Sequence, residues 1–140
     1  MFQSRDEVRQ IYLDVWQKMQ QNTLLEPMQA LIAEVIDIHP EYHGLLAQAD
    51  DIKQQDFTPE QGQTNPFLHM GMHIALREQA AGDRPAGIGE IYRKLNRARG
   101  RHDAEHAMME CLGQALWNAQ RDQRAVDEML YLECLIKLLK

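Results

Sequence analysis

The six histidines of this chain fall into three pairs of identical spacing: His39 with His43, His69 with His73, and His102 with His106. Random placement of six histidines over 140 positions gives about 0.25 such pairs, so three is a pattern. Residues four apart on a helix share a face, with Cβ atoms about 5–6 Å apart. Two imidazoles at that distance can share one cation, as they do in the zinc-binding H-E-x-x-H helix. The chemistry these residues suit is metal coordination. Imidazole-rich sites accept zinc, iron, nickel and copper alike, so the donor set points to a divalent first-row ion, zinc or iron first. The reaction, if there is one, stays open: an open coordination position would activate water or dioxygen.

Further donors stand near the pairs. Glu110 lies one turn beyond His106, so His102, His106 and Glu110 form an i, i+4, i+8 row that drifts about 40° per step. Glu110 is a candidate ligand or an acceptor for a ligating ring, with a surface carboxylate as the alternative. Glu34 reads as a surface acid. Asp103 and Glu105 occupy a first helical turn, where acids suit the helix dipole, and that is sufficient reason for Glu105. His69 and His102 also sit near helix starts, where the dipole favours the neutral imidazole that ligates metal. His39 precedes Pro40, which biases it away from helical geometry. His39 and His43 therefore flank a kink as readily as they share a face.

The elements that must position these rings are all helical. Val8, Ile11, Tyr12, Val15, Trp16 and Met19 recur at helical spacing behind a Ser4/Glu7 capping box, predicting a helix over 4–22. Pro27 opens a second helix, whose inward row Ile32, Val35, Ile36 ends on His39, before Pro40 stops it. A turn or two follows to residue 48. Residues 49–64 are polar and aperiodic and read as a solvated connector, with a lid or binding loop as the alternative. Asn65-Pro66 is a cap followed by a first-turn proline, starting a third helix to about 81. Ile88, Ile91, Tyr92 and Leu95 support a shorter fourth helix ending at Gly100. A fifth spans about 102–120 and a sixth about 124–139. In the third helix His69, His73, Leu76 and Ala80 share a row. In the fifth the row is His102, His106, Met109, Gly113, Leu116 and Gln120. The expected fold is all-α: one domain over 1–140, a compact bundle of about four main helices with short additions. Whether the third and fifth helices bring their pairs to the same end is not fixed by the sequence.

Composition narrows the function. Apolar residues make up 44% and charged residues 26%, and the net charge is −6. That argues for a soluble protein and against a general affinity for nucleic-acid phosphate. Arg93, Lys94, Arg97, Arg99 and Arg101 read as a solvated basic face, with an anion site as the alternative. The N-terminus has no apolar run of a signal peptide and no stretch reaches membrane length, so the expectation is cytoplasmic, with no membrane partner. Cys111 and Cys134 lie in apolar helical patterns and read as small buried hydrophobes.

Three segments carry a resemblance: His39-Pro40-Glu41-Tyr42-His43, the run from Asn65 to His73, and the run from His102 to Gly113. Over nearly the whole chain they resemble a bacterial family described as domain of unknown function 1841. The resemblance implies a small stand-alone bacterial protein and brings no activity with it. Hemerythrin-like and DinB-like helical proteins offer analogies for histidines gathered from separate helices, and His106 with Glu110 is similar to a hemerythrin-like ligand pair. The HD-type phosphohydrolases, suggested by His102-Asp103, show an apolar lead-in that is missing here. Two functions stand. One is a metal-binding protein using His69, His73, His102 and His106, with Glu110, His39 and His43 as further candidates. The other is a metal-free, non-catalytic interaction module, whose apolar sixth helix would serve a homodimer or a partner interface.

Overall fold

In the computed structural model the described residues are 5–48 and 65–140. Among them every regular element is a helix, so the chain is all-α as its periodicity predicts. The expected Ser4 cap and the 49–64 connector lie outside the described residues. The chain groups into two units, Met1–Ile74 and Ala75–Lys140, and the boundary falls inside one continuous helix.

The first unit holds α1 (Arg5–Gln20), α2 (Pro27–Asp37), a 3-10 turn (Pro40–Tyr42), the short α3 (His43–Leu46) and the first half of α4 (Pro66–Gly82). Tyr12, Leu13 and Val15 of α1 meet Ile32, Val35 and Ile36 of α2 in its core, with Leu46, Phe67, Met70 and Ile74. Each fully buried aliphatic side chain here contributes about 1.5–3 kcal/mol relative to exposure. Asn22, at φ 54°, takes the left-handed turn that closes α1, a conformation asparagine tolerates better than most residues. The start of α2 is fixed by Gln29, whose Oε1 accepts from the Glu26 N–H at 3.0 Å and from Lys18 Nζ at 3.1 Å. Asn65 caps α4 as its sequence predicts: its Oδ1 accepts from the N–H groups of Phe67 (2.9 Å) and Leu68 (3.2 Å).

The second unit holds the rest of α4, α5 (Ile88–Arg99), α6 (Arg101–Asp122) and α7 (Glu128–Lys137). The predicted row of α5 is the buried one: Ile88, Ile91, Tyr92 and Leu95. Asp83 Oδ1 receives the N–H groups of Gly87 and Gly89, both at 3.0 Å, at the head of α5. A Cβ on Gly89 would stand 3.0 Å from the Ala80 carbonyl oxygen, so this position admits little but glycine. Asp127 starts α7 by accepting the Leu130 N–H at 3.1 Å, three residues later than the expected start.

Three expectations need correction. The buried residues of α6 are Ala104, Glu105, Met108, Met109, Cys111, Leu112 and Ala115, so of the expected row through His102 and Leu116 Met109 alone is buried. Both rows have helical spacing; the observed one carries the better apolar load, and it leaves His102 exposed and Leu116 45% exposed. Much of the expected apolar stripe of α7 also faces outward, with Met129 74% and Leu130 55% exposed. Finally, Cys111 and Cys134 are not separate small hydrophobes. They form a disulfide joining α6 to α7. No helix among the described residues is long and apolar enough to cross a membrane.

Candidate metal centre

The site in the first unit begins where α2 stops. Pro40 has no N–H, so the Ile36 carbonyl loses the partner it would have in a longer helix. The His39 N–H turns back to Ile36 at 3.0 Å, and His39 itself leaves helical geometry at φ −124°, ψ 66°. That leaves the Val35 carbonyl without its own backbone donor. The two histidine side chains bring further donors to these carbonyls. His39 Nδ1 stands 2.8 Å from Val35 O, and His43 Nε2 stands 2.9 Å from Ile36 O. A carbonyl only accepts, so each of these ring nitrogens carries the proton and donates. For the neutral ring of His39 this fixes the tautomer: Nδ1 is protonated and Nε2 holds the lone pair. Histidines that bind metal characteristically donate their other ring N–H to a carbonyl or carboxylate.

Into the space beside His39 come His69 and His73, one turn apart on α4. The three ring centroids stand at 5.0 Å (His39–His69), 4.8 Å (His39–His73) and 4.9 Å (His69–His73), a nearly equilateral triangle. Each ring offers a nitrogen within 4.8 Å of those of the others. His39 and His73 are buried and His69 is half-buried. Tyr42 stacks on His39, with centroids 5.3 Å apart and planes 11° from parallel, and meets His69 edge-on. Burial pushes the Tyr42 hydroxyl pKa up, and the Glu41 carboxylate adds to the shift. Tyr42 therefore stays neutral beside the imidazoles. A tetrahedral ion with Zn–N bonds of about 2.0–2.1 Å needs nitrogens about 3.3 Å apart. Small ring rotations close that gap, so the donors present fit a first-row ion.

His43 is on the far side of the Pro40 kink, hydrogen-bonded to Ile36 O with its ring 4.8 Å from that of Trp16. In the second unit, the His102 and His106 rings stand 4.2 Å apart on the first turns of α6, and Glu110 is exposed.

Sequence reasoning missed a buried polar network in the second unit. Glu105, read as an ordinary first-turn acid, is fully buried. Its carboxylate receives Arg77 Nε at 2.9 Å and Arg77 Nη2 at 3.2 Å, a bidentate pair, and also the Tyr92 hydroxyl. Arg101 Nε approaches the same carboxylate at 3.7 Å. Burial, then the hydrogen bond to Glu105, raises the Tyr92 pKa. A signal for this network did exist. Phe67, Met70, Ile74 and Arg77 step along one row of α4, and an arginine in an apolar row requires a buried acid. Of the expected basic face, Arg93, Lys94, Arg97 and Arg99 are exposed, with Lys94 paired loosely to Glu90 and Arg99 donating to Leu138 O, while Arg101 turns to Glu105.

No curated protein and no solved structure matches the chain. The sequence profile of the family described as domain of unknown function 1841 matches residues 4–137, nearly the whole length. The chain belongs to that family.

Proposed function

We propose that this is a metal-binding helical protein whose ion is held by His39, His69 and His73. The observation that carries the reading is the triangle of imidazoles, one of them with its tautomer set by the Val35 carbonyl so that Nε2 faces ligation as a base. His106 is the proposed fourth donor, from the third histidine pair of the same sequence spacing. Three imidazoles alone would leave an open position, as in catalytic zinc sites, whereas a fourth would close it, as in structural ones. Zinc or iron is the proposed ion, and the cytoplasm the proposed setting. When bound, the ion would supply Lewis acidity. The chain's own residues orient the rings, and Tyr42 screens them from solvent.

The test is elemental analysis of untagged protein expressed with metals supplied, together with cobalt substitution read in the visible spectrum. About one equivalent per chain is expected, with His39→Ala and His69→Ala each losing it and the d–d bands changing. His69 is half-buried, so its removal perturbs folding least. His106→Ala reports whether the fourth position is filled by protein. Less than about a tenth of an equivalent in the wild type, with no thermal shift on chelation, would refute the reading.

A second reading, a metal-free interaction module, draws on Trp117 (56% exposed), Met129 and Leu130 in the second unit. A homodimer in sedimentation equilibrium, unaltered by chelator and abolished by Met129→Lys with Leu130→Lys, would favour it.

A further inference from the structure

A cleft of about 320 Å³ lies in the second unit where α6 ends and α7 begins, and both cysteines of the Cys111–Cys134 bridge line it. The two are not equivalent. Cys111 is 2% exposed, in the inward row of α6, while Cys134 is half-buried on α7. An incoming nucleophile therefore has access to Cys134 Sγ first. The charges around the cleft are also unevenly committed. Asp122 is paired with Arg121 at 3.0 Å, and the Asp127 carboxylate is spent on the Leu130 N–H of the α7 cap. Arg124, on the turn between the two helices, lines the same rim; it acts on Asp122 through its charge and stands where a bound anion would meet it.

We propose that the Cys111–Cys134 disulfide is an exchange site for a low-molecular-weight thiol bearing carboxylates, docked in this cleft with its carboxylate towards Arg124. The thiolate sulfur attacks Cys134 Sγ in line with the Sγ–Sγ bond. A new S–S bond forms between ligand and Cys134 as the old one breaks. Cys111 Sγ leaves with the electron pair and takes a proton from cleft water. One disulfide is consumed and one formed, so no further oxidant or reductant is needed. Loss of that proton back to water regenerates the Cys111 thiolate, whose return to Cys134 Sγ expels the ligand thiolate and restores the bridge. In a reducing compartment, disulfides are characteristically of this transient kind. The site is independent of the histidine triangle.

The oxidised full-length chain is incubated with glutathione, which carries two carboxylates, and separately with the cationic thiol cysteamine, at matched thiolate concentrations. Acid-quenched samples are mapped by mass spectrometry. The expected adduct is on Cys134, forming faster with glutathione. Arg124→Ala should reduce the glutathione rate about two- to fivefold and leave the cysteamine rate unchanged or higher. Rapid ring closure could keep the adduct scarce, so Cys111→Ser is also treated with oxidised glutathione. There Cys134 should take up the glutathionyl group, whereas Cys111 in Cys134→Ser should resist it. A Cys111 adduct, failure of Cys134 to react in Cys111→Ser, or an Arg124→Ala rate equal to wild type would each overturn the proposal.

Discussion

Replacing Glu105 by alanine should be among the most damaging single changes in the second unit. The substitution removes both oxygens that receive Arg77 and the acceptor of the Tyr92 hydroxyl. The Arg77 side chain is only 5% exposed, so its charged guanidinium would lose its facing carboxylate in a site nearly closed to water. Breaking a buried pair in this way costs about 3–5 kcal/mol, a large share of the roughly 5–15 kcal/mol that holds a domain together. Arg101 provides the internal contrast. It is 53% exposed and 3.7 Å from the same carboxylate, so Arg101→Ala should cost about 0–1 kcal/mol. Replacing both members, Arg77→Met with Glu105→Met, removes the orphaned charge along with the attraction. That double variant should be more stable than Glu105→Ala. Urea unfolding followed by far-UV circular dichroism reads all four proteins, with an unchanged m-value as the check that the unfolding transition is the same. A loss below about 1 kcal/mol for Glu105→Ala, or a double variant no more stable than Glu105→Ala, would refute the view that Glu105 is held by a desolvated ion pair.

Other consequences are as concrete. Asn65→Ala removes the acceptor for two N–H groups in the first turn of α4 and should cost about 1 kcal/mol, visible as faster amide exchange at Phe67 and Leu68. The Cys111→Ser, Cys134→Ser double variant releases a crosslink between residues 23 apart and should lose about 3 kcal/mol on loop-closure grounds, read as a lower urea midpoint than the oxidised chain. Burial raises the Tyr12 pKa to about 12, so its neutral form is favoured in the folded state. The corresponding stability is fully present below about pH 10 and is lost as pH rises from there towards 12, about 2–3 kcal/mol in all. Tyr12→Phe should flatten that alkaline decline, and an unaltered slope in the pH-dependence of unfolding would contradict the assignment.

The sequence carried the helices well because each is written locally. Asn65-Pro66 starts α4 with a side-chain cap, and the row Ile88, Ile91, Tyr92, Leu95 buries itself as its spacing requires. What escaped was the choice between two rows on α6, about one residue apart in angle. His102 and Leu116 fit one helical row, while Ala104, Met108 and Leu112 fit its neighbour. Only the packing partners decide between such rows, and those are distant in sequence. The same limit hid Glu105, whose position in a first helical turn already satisfied a local rule, and the disulfide, whose partners are joined by nothing but tertiary placement.

Identical spacing also produced different chemistry in the three histidine pairs, and the cause is the backbone beneath each. On α4 the helix is continuous through His69 and His73, so both rings face His39. At the end of α2 the proline strips a donor from the carbonyl row. The two rings there are recruited as substitutes: His39 to Val35, His43 to Ile36. That recruitment turns His39 inward with a defined tautomer and ties His43 to the helix end, next to Trp16. Pro40→Ala should therefore act on the site from outside it. Restoring an N–H at residue 40 offers Ile36 O its α-helical donor in place of the His39 N–H, and removes the bias on His39 against helical geometry. The expected result is an α2 extended by about a turn, seen as new amide protection at residues 39 and 40, with weaker cobalt binding at an unchanged melting temperature of the metal-free protein. Full cobalt affinity in a variant with that extra turn would show that the Val35 contact does not set the ligating nitrogen.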